Sequence, residues 1–203
     1  MAVYLVRHGE SVANKALVLS GSYDHPLTDA GRAQARQAGR KLIGVPIVRV
    51  FTSVLERAVE TAEIIAAALG ATPQQLPAAR EWNVGDLDGL PAAALHDAIE
   101  RSGVSATEFA PPGGESLRAL HARAAMALAE LAREATDSAL AAERARTLLV
   151  SHGDFIRMAI GAAASMPIDE ATAIALRNTS LTELVLGNGS WRVERIGDAS
   201  HLD

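Results

Sequence analysis

Short aliphatic runs alternate along this chain with longer stretches whose apolar residues recur at helical spacing, and that alternation predicts an α/β domain with a mainly parallel sheet. Val3 to Val6 reads as a first strand. Thr28-Asp29-Ala30-Gly31 opens a helix that runs to about Leu42, with Thr28 as its N-cap. Ile47 to Phe51 is a second strand, after which Thr52-Ser53 caps a helix from about Val54 to Leu69 that Gly70 ends. A third short strand falls near Gln75 to Pro77 and a modest helix at Leu90 to Arg101. Pro111-Pro112-Gly113-Gly114 interrupts regular structure before a long helix from Ser116 to about Arg133. Thr147 to Val150 has the composition of a strand buried on both faces, with a helix starting near Asp154. Leu181 to Leu186 and Trp191 to Ile196 flank Gly187-Asn188-Gly189-Ser190 as a terminal hairpin.

With 203 residues, 49% of them hydrophobic, the chain has enough apolar surface for a substantial core, and one domain over residues 1–203 is expected. A net charge of -5 supplies no basic field for nucleic acid or an anionic membrane, so neither is expected as a partner. The N-terminal apolar run, Ala2 to Val6, is cut off by Arg7 and His8, too soon for a secretory core or a membrane span. A cytoplasmic location is the default. The absence of cysteine removes thiolate nucleophiles and disulfides from consideration.

Ligands of open α/β sheets bind at the carboxyl ends of the strands, where helix N-termini also present free N–H groups to anions. Three expected strand ends bring chemistry to that edge: Arg7-His8-Gly9-Glu10, then Thr52-Ser53 leading to Arg57, and Ser151-His152-Gly153. Arg57 falls in the first turn of its helix, where a cation is mildly unfavourable unless an anion neutralises it. A phosphate monoester carries about -1.5 to -2 charge, and guanidinium groups meet its oxygens with paired hydrogen bonds. Histidine suits as nucleophile because its ordinary pKa, about 6.5, leaves much of it neutral, and nearby arginines lower it further. Glu81, after the third strand and before a glycine-marked turn, is the leading proton donor, provided burial raises its pKa.

Leu5-Val6-Arg7-His8-Gly9-Glu10-Ser11 resembles the signature of the histidine phosphatase (phosphoglycerate mutase-like) superfamily. The resemblance continues in order through Asn14, Gly21, Pro26-Leu27-Thr28-Asp29-Ala30-Gly31, Thr52-Ser53 with Arg57-Ala58, Glu81, Gly113-Gly114-Glu115-Ser116 and Val150-Ser151-His152-Gly153. It implies a three-layer α/β/α sandwich with a mixed sheet and an antiparallel edge strand. It further implies His8 as the phosphorylated nucleophile, Arg7, Arg57 and His152 as the phosphate pocket, and Glu81 as general acid and base. Asn14, Ser20, Gly21 and Gly153 are the expected substrate contacts. No metal and no organic cofactor is implied for the phosphatase branch, and the partner is a small phosphorylated metabolite.

Departures from the mutase pattern favour a phosphatase. Mutases are longer, carry tyrosine where this chain has Val84, and place paired arginines in an insertion, whereas Ser102 to Gly114 contains no basic residue. A mutase is the alternative, and a phospho-ligand binder without turnover the third reading. The other histidines, His25, His96, His121 and His201, read as exposed surface residues. Arg118, Arg123, Glu130, Arg133 and Glu134 read as a solvated helix face. Glu115 reads as a helix-start carboxylate of structural value, and Asp86 and Asp88 as an acidic pocket rim. A homodimer is compatible with the composition, though no helix has a coiled-coil seam.

Overall fold

The computed structural model describes residues 1–136 and 145–203. Its elements are β1 (Ala2–Arg7), α1 (Val12–Ala16), α2 (Asp29–Lys41), β2 (Ile47–Thr52), α3 (Glu56–Leu69), β3 (Pro73–Gln75), α4 (Ala93–Ser102), α5 (Leu117–Thr136), β4 (Arg146–Ser151), α6 (Gly153–Ala164), α7 (Ile168–Thr172), β5 (Leu181–Gly187) and β6 (Ser190–Asp198). The strands form one six-stranded sheet in the order β3-β2-β4-β1-β5-β6. The first four run parallel, while β5 and β6 are antiparallel, so the antiparallel part is a whole hairpin rather than one edge strand.

The period of two along β4 sorts its side chains between two cores. Leu149 packs with residues of α5 and α6, whereas Leu148 and Val150 pack with Ala38 of α2, Leu42 at its C-cap, and Ala58, Ala62 and Ile65 of α3. Helices therefore cover both faces, which gives the expected three layers. Each fully buried leucine here contributes about 1.5–3 kcal/mol relative to exposure. Thr28 caps α2 as expected, its side chain accepting the Gly31 N–H, and Gly70 ends α3 in the left-handed conformation.

Several boundaries differ from those the sequence suggests. Leu55, without a side-chain cap bond, is the N-cap of α3, and Thr52 is still part of β2. The third strand ends at Gln75 because Pro77 begins a 3-10 turn, Pro77–Ala79. Leu90 to Ala92 is not helical. Its backbone bonds to Leu17 and Leu19 instead, through Leu19 N–H to Leu90 O (2.8 Å) and Ala92 N–H to Leu17 O (3.2 Å). The two five-residue helices, α1 and α7, are too short to leave an amphipathic signal.

Register then assembles the edge that matters. Arg7 lies opposite Ser151 in the β1/β4 pair and Thr52 opposite Val150 in the β2/β4 pair, so three parallel strands finish side by side. Beyond them His8 N–H donates to Ser151 O (2.9 Å) and Ser53 N–H to Val150 O (3.0 Å). Among the described residues no helix is long and apolar enough to cross a membrane.

Candidate active site

At this edge the chain encloses a cavity of about 160 Å³. Arg7, His8, Asn14, Glu81 and Gly153 reach its lining, together with Ser20 and Gly21. His152 and Arg57 lie behind that lining, almost wholly buried. All nine residues singled out in the sequence thus gather at one place, although they do not all face the cavity.

His8 is held in one orientation. Its Nδ1 lies 2.7 Å from Gly9 O, which fixes the proton on Nδ1 and leaves the Nε2 lone pair free. Gly9 N–H donates to Thr61 Oγ1 (3.0 Å), and Thr61 Oγ1 donates to Arg57 O (2.7 Å), tying the turn after β1 to α3. Glycine is required there, since a Cβ on Gly9 would stand 2.5 Å from Gly31 O. Burial, then Arg57 and Arg7, hold the His8 pKa well below its ordinary value, so the ring is neutral.

The ring of His152 meets that of His8 edge-on, with centroids 5.2 Å apart. His152 Nε2 lies 2.8 Å from Ser53 Oγ, and Ser53 Oγ accepts the Leu55 N–H. Where the serine hydroxyl donates to Nε2, the His152 proton sits on Nδ1. Burial, followed by Arg57, His8 and Arg7, keeps this ring neutral too. His152 Nδ1, Arg7 Nε and Arg57 Nε are all buried and have no hydrogen-bond partner among the described residues.

Arg57 occupies an unexpected position. Its Nη1 donates to Tyr23 O (2.9 Å) and its Nη2 to Ser20 O and Gly21 O (both 3.0 Å), so most of its donors hold a loop. From the other side Asp88 accepts the N–H groups of Gly21 (3.0 Å), Ser22 (2.7 Å) and Tyr23 (2.9 Å). Asp88 is thus a loop anchor rather than a free acidic rim, and the Gly21 N–H is already committed. Ser20 Oγ donates to Tyr23 O at 3.4 Å.

Glu81 sits against the N-terminus of α6. Its Oε1 accepts N–H groups from Trp82 (2.9 Å) and Phe155 (3.1 Å), while Oε2 has a long contact, 3.4 Å, from the Asp154 N–H. Oε2 is therefore the oxygen left to carry a proton. Enclosure of the carboxyl, then the charge of Asp154, pushes its pKa up to about 7 against the opposing pull of the Trp82 N–H, Arg57 and the Phe155 N–H.

Asn14 Oδ1 accepts from Ser11 N–H (3.1 Å), Ser11 Oγ (3.2 Å) and Asn178 Nδ2 (3.2 Å), which turns the Asn14 amide nitrogen away as a free donor. Asn178 Nδ2 also donates to His8 O (2.9 Å). Asn178 carries no sequence signal of its own, and neither do Asp154 and Arg157, which pair at 2.8 Å and line the cavity. Arg123 was expected on a solvated face. It is instead largely buried, donating to Ala78 O (2.9 Å), Arg80 O (2.6 Å) and Glu81 O (3.0 Å) and pairing with Glu115. Of the other histidines only His96 is exposed. His25, His121 and His201 are half-buried, and His201 Nε2 lies 3.2 Å from the hydroxyl of Thr179.

A three-layer mixed α/β fold with two histidines at adjoining strand ends is the architecture of the phosphoglycerate mutase-like proteins. The chain belongs to the histidine phosphatase superfamily (branch 1), whose family model matches residues 3–199, and is therefore an enzyme acting on phosphate esters. It is 35% identical over its whole length to the probable phosphoglycerate mutase GpmB of Erwinia tasmaniensis, covering 95% of that protein. Among solved structures it is similar to Bacillus stearothermophilus YhfR, with a TM-score of 0.87 at 28% identity, covering 100% of this chain and 99% of that one. A mycobacterial glucosyl-3-phosphoglycerate phosphatase, solved with VO3, matches with a TM-score of 0.82 at 27% identity, over 97% of this chain and 98% of that one.

Proposed function

We propose that the chain is a metal-independent phosphatase that hydrolyses a small phosphomonoester through a phosphohistidine on His8. The observation that carries this reading is the set of buried, unpartnered donors, Arg7 Nε, Arg57 Nε and His152 Nδ1, contributed by three elements around the His8 ring. Enclosed donors of this kind cost stability unless an acceptor meets them, and a phosphoryl group supplies several acceptors and the compensating negative charge. The free Asn14 amide nitrogen adds a neutral donor.

The neutral Nε2 of His8 attacks phosphorus while the bond from phosphorus to the ester oxygen breaks. Glu81 gives its proton to that leaving oxygen and becomes a carboxylate. Water then attacks phosphorus, Glu81 takes back a proton from it, the phosphorus–nitrogen bond breaks, and inorganic phosphate leaves. Two neutral histidines and one protonated carboxyl are the starting state this cycle needs, and they are the states that burial and charge favour here.

Val18, Leu19, Trp82, Val84 and Leu95 give the cavity an apolar wall beside its polar residues. Arg157, the further cation there, is already paired with Asp154. This supports a small phosphorylated metabolite with a weakly charged alcohol.

Phosphoglycerate mutase is the second reading, because the curated relatives at 35% identity carry that name. The deciding experiment measures phosphate release from a panel of phosphomonoesters, including 3-phosphoglycerate, with chelator present and His8→Ala as control. Release that His8→Ala abolishes, with acid-labile phosphate trapped on the wild-type chain, is the expected result. Interconversion of phosphoglycerates that needs a bisphosphoglycerate primer, without net release, would establish the mutase instead.

A further inference from the structure

We infer that Asp154 is a positioning residue for Glu81: its carboxylate, held by Arg157 at the cavity wall, keeps the Glu81 proton in place until a leaving oxygen takes it. The inference rests on the reading of Glu81 as proton donor and adds a residue that the sequence pattern did not mark.

A proton on Glu81 has many opponents. The carboxyl lies over the N-terminus of α6, where free N–H groups and the helix dipole favour a carboxylate, and it accepts from Trp82, Phe155 and Asp154 N–H groups. Arg7 and His8 face it from β1 and its following turn, and Arg57 from α3. Arg123 of α5 binds the Glu81 carbonyl, its charge shared with Glu115, and His152 stands at the end of β4. His8 and His152 are neutral, so the opposing charges are guanidinium groups. Burial favours the proton first, and a negative neighbour adds to it against these guanidinium groups.

Asp154 is that neighbour. It occupies the first turn of α6, lines the same cavity as Glu81, and its charge is the second cause, after burial, that favours the protonated form. Its side chain caps nothing. The bond it makes is to Arg157 Nη1 at 2.8 Å, and Arg157 is itself fixed by donating from Nε to Ile174 O at 2.8 Å. Arg157 therefore orients the Asp154 carboxylate at the cavity wall and offsets part of its charge.

The test is a carboxyl carbon NMR titration of Glu81 in ¹³C-glutamate-labelled protein without substrate, with Glu81→Gln identifying the resonance. In Asp154→Asn, which keeps the side-chain shape, the Glu81 midpoint falls by at least about half a pH unit. The basic limb of kcat/KM follows, so that Asp154→Asn loses on the order of threefold in kcat/KM above the wild-type midpoint while changing little well below it. A midpoint that does not move in Asp154→Asn overturns the inference. Because the titration needs no turnover, it is read independently of phosphohistidine trapping, on which the proposed function stands.

Discussion

Ser53 Oγ lies 2.8 Å from His152 Nε2 and also accepts the Leu55 N–H, so one hydroxyl links the ring to the start of α3. The pair joins the turn after β2 to the turn after β4, two strand ends that the register sets side by side. Ser53→Ala removes the donor to Nε2, lets the proton move there, and turns Nδ1 from a donor into an acceptor facing a phosphoryl oxygen. The expected outcome is a kcat loss of ~10- to 100-fold with little change in the fold, together with about 1–3 kcal/mol of lost stability from the unpaired buried nitrogen. Steady-state kinetics with a thermal melt check both parts. Full activity in Ser53→Ala would remove the tautomer argument.

Arg57 and Asp88 grip the loop from Ser20 to Asp24 from opposite sides, one through its carbonyl groups and the other through its N–H groups. Since Ser20 and Gly21 line the cavity, the loop is part of the substrate wall. Asp88→Ala leaves three N–H groups without their charged acceptor and frees the loop. KM rises about tenfold while kcat stays within about threefold, the pattern of lost uniform binding. Conversely, a kcat loss at constant KM would assign Asp88 to the chemical step.

Much of this site was legible before the structure. Arg-His-Gly, the arginine one turn into a helix, and Ser-His-Gly stand at ends of strands whose aliphatic runs are unmistakable, and parallel pairing of such strands must bring their ends together. Residues that act through backbone contacts were not legible. Arg123 has helical spacing like any surface arginine, and what distinguishes it is three carbonyl groups presented by residues 78 to 81, more than forty positions away in the chain. Asp88 likewise reads as a turn acid until the loop it holds is in place. The early start given to the fourth helix failed for a similar reason: Leu90 to Ala92 is paired by residues 17 to 19, a long-range contact that overrides local pattern.

Asn178 supplies a donor to both Asn14 Oδ1 and His8 O. Replacing it with aspartate removes the donor and places a negative acceptor beside Oδ1 and the bound phosphoryl group, leaving Ser11 to hold the Asn14 amide. Asn178→Asp is therefore expected to weaken vanadate or phosphate binding by about tenfold, or ~1.4 kcal/mol. Asn178→Gln, which keeps an amide donor, restores part of that affinity. Equal binding by wild type and Asn178→Asp, measured by calorimetry, would show that Asn14 does not depend on this support.

The titrating groups of the site pull stability in opposite directions along the pH scale. Glu81 has its pKa raised from 4.5 to about 7 by folding, so the native state holds a proton that the unfolded chain releases. The stability this provides is complete below pH 4.5 and is lost as pH rises through about 7. His8 and His152 have folded pKa values well below the ordinary 6.5, so the unfolded chain binds the extra protons and stability falls as pH drops below 6.5. Glu81→Gln keeps an acceptor for the Trp82 and Phe155 N–H groups and cannot ionise. Its melting temperature relative to wild type should therefore climb between pH 5 and 8, and phosphoryl transfer should be lost while phosphate still binds. The acid-side fall below 6.5 should persist in Glu81→Gln, because both histidines remain. A melting difference between the two proteins that is flat from pH 5 to 8 would mean that the Glu81 carboxyl titrates alike in the folded and unfolded states.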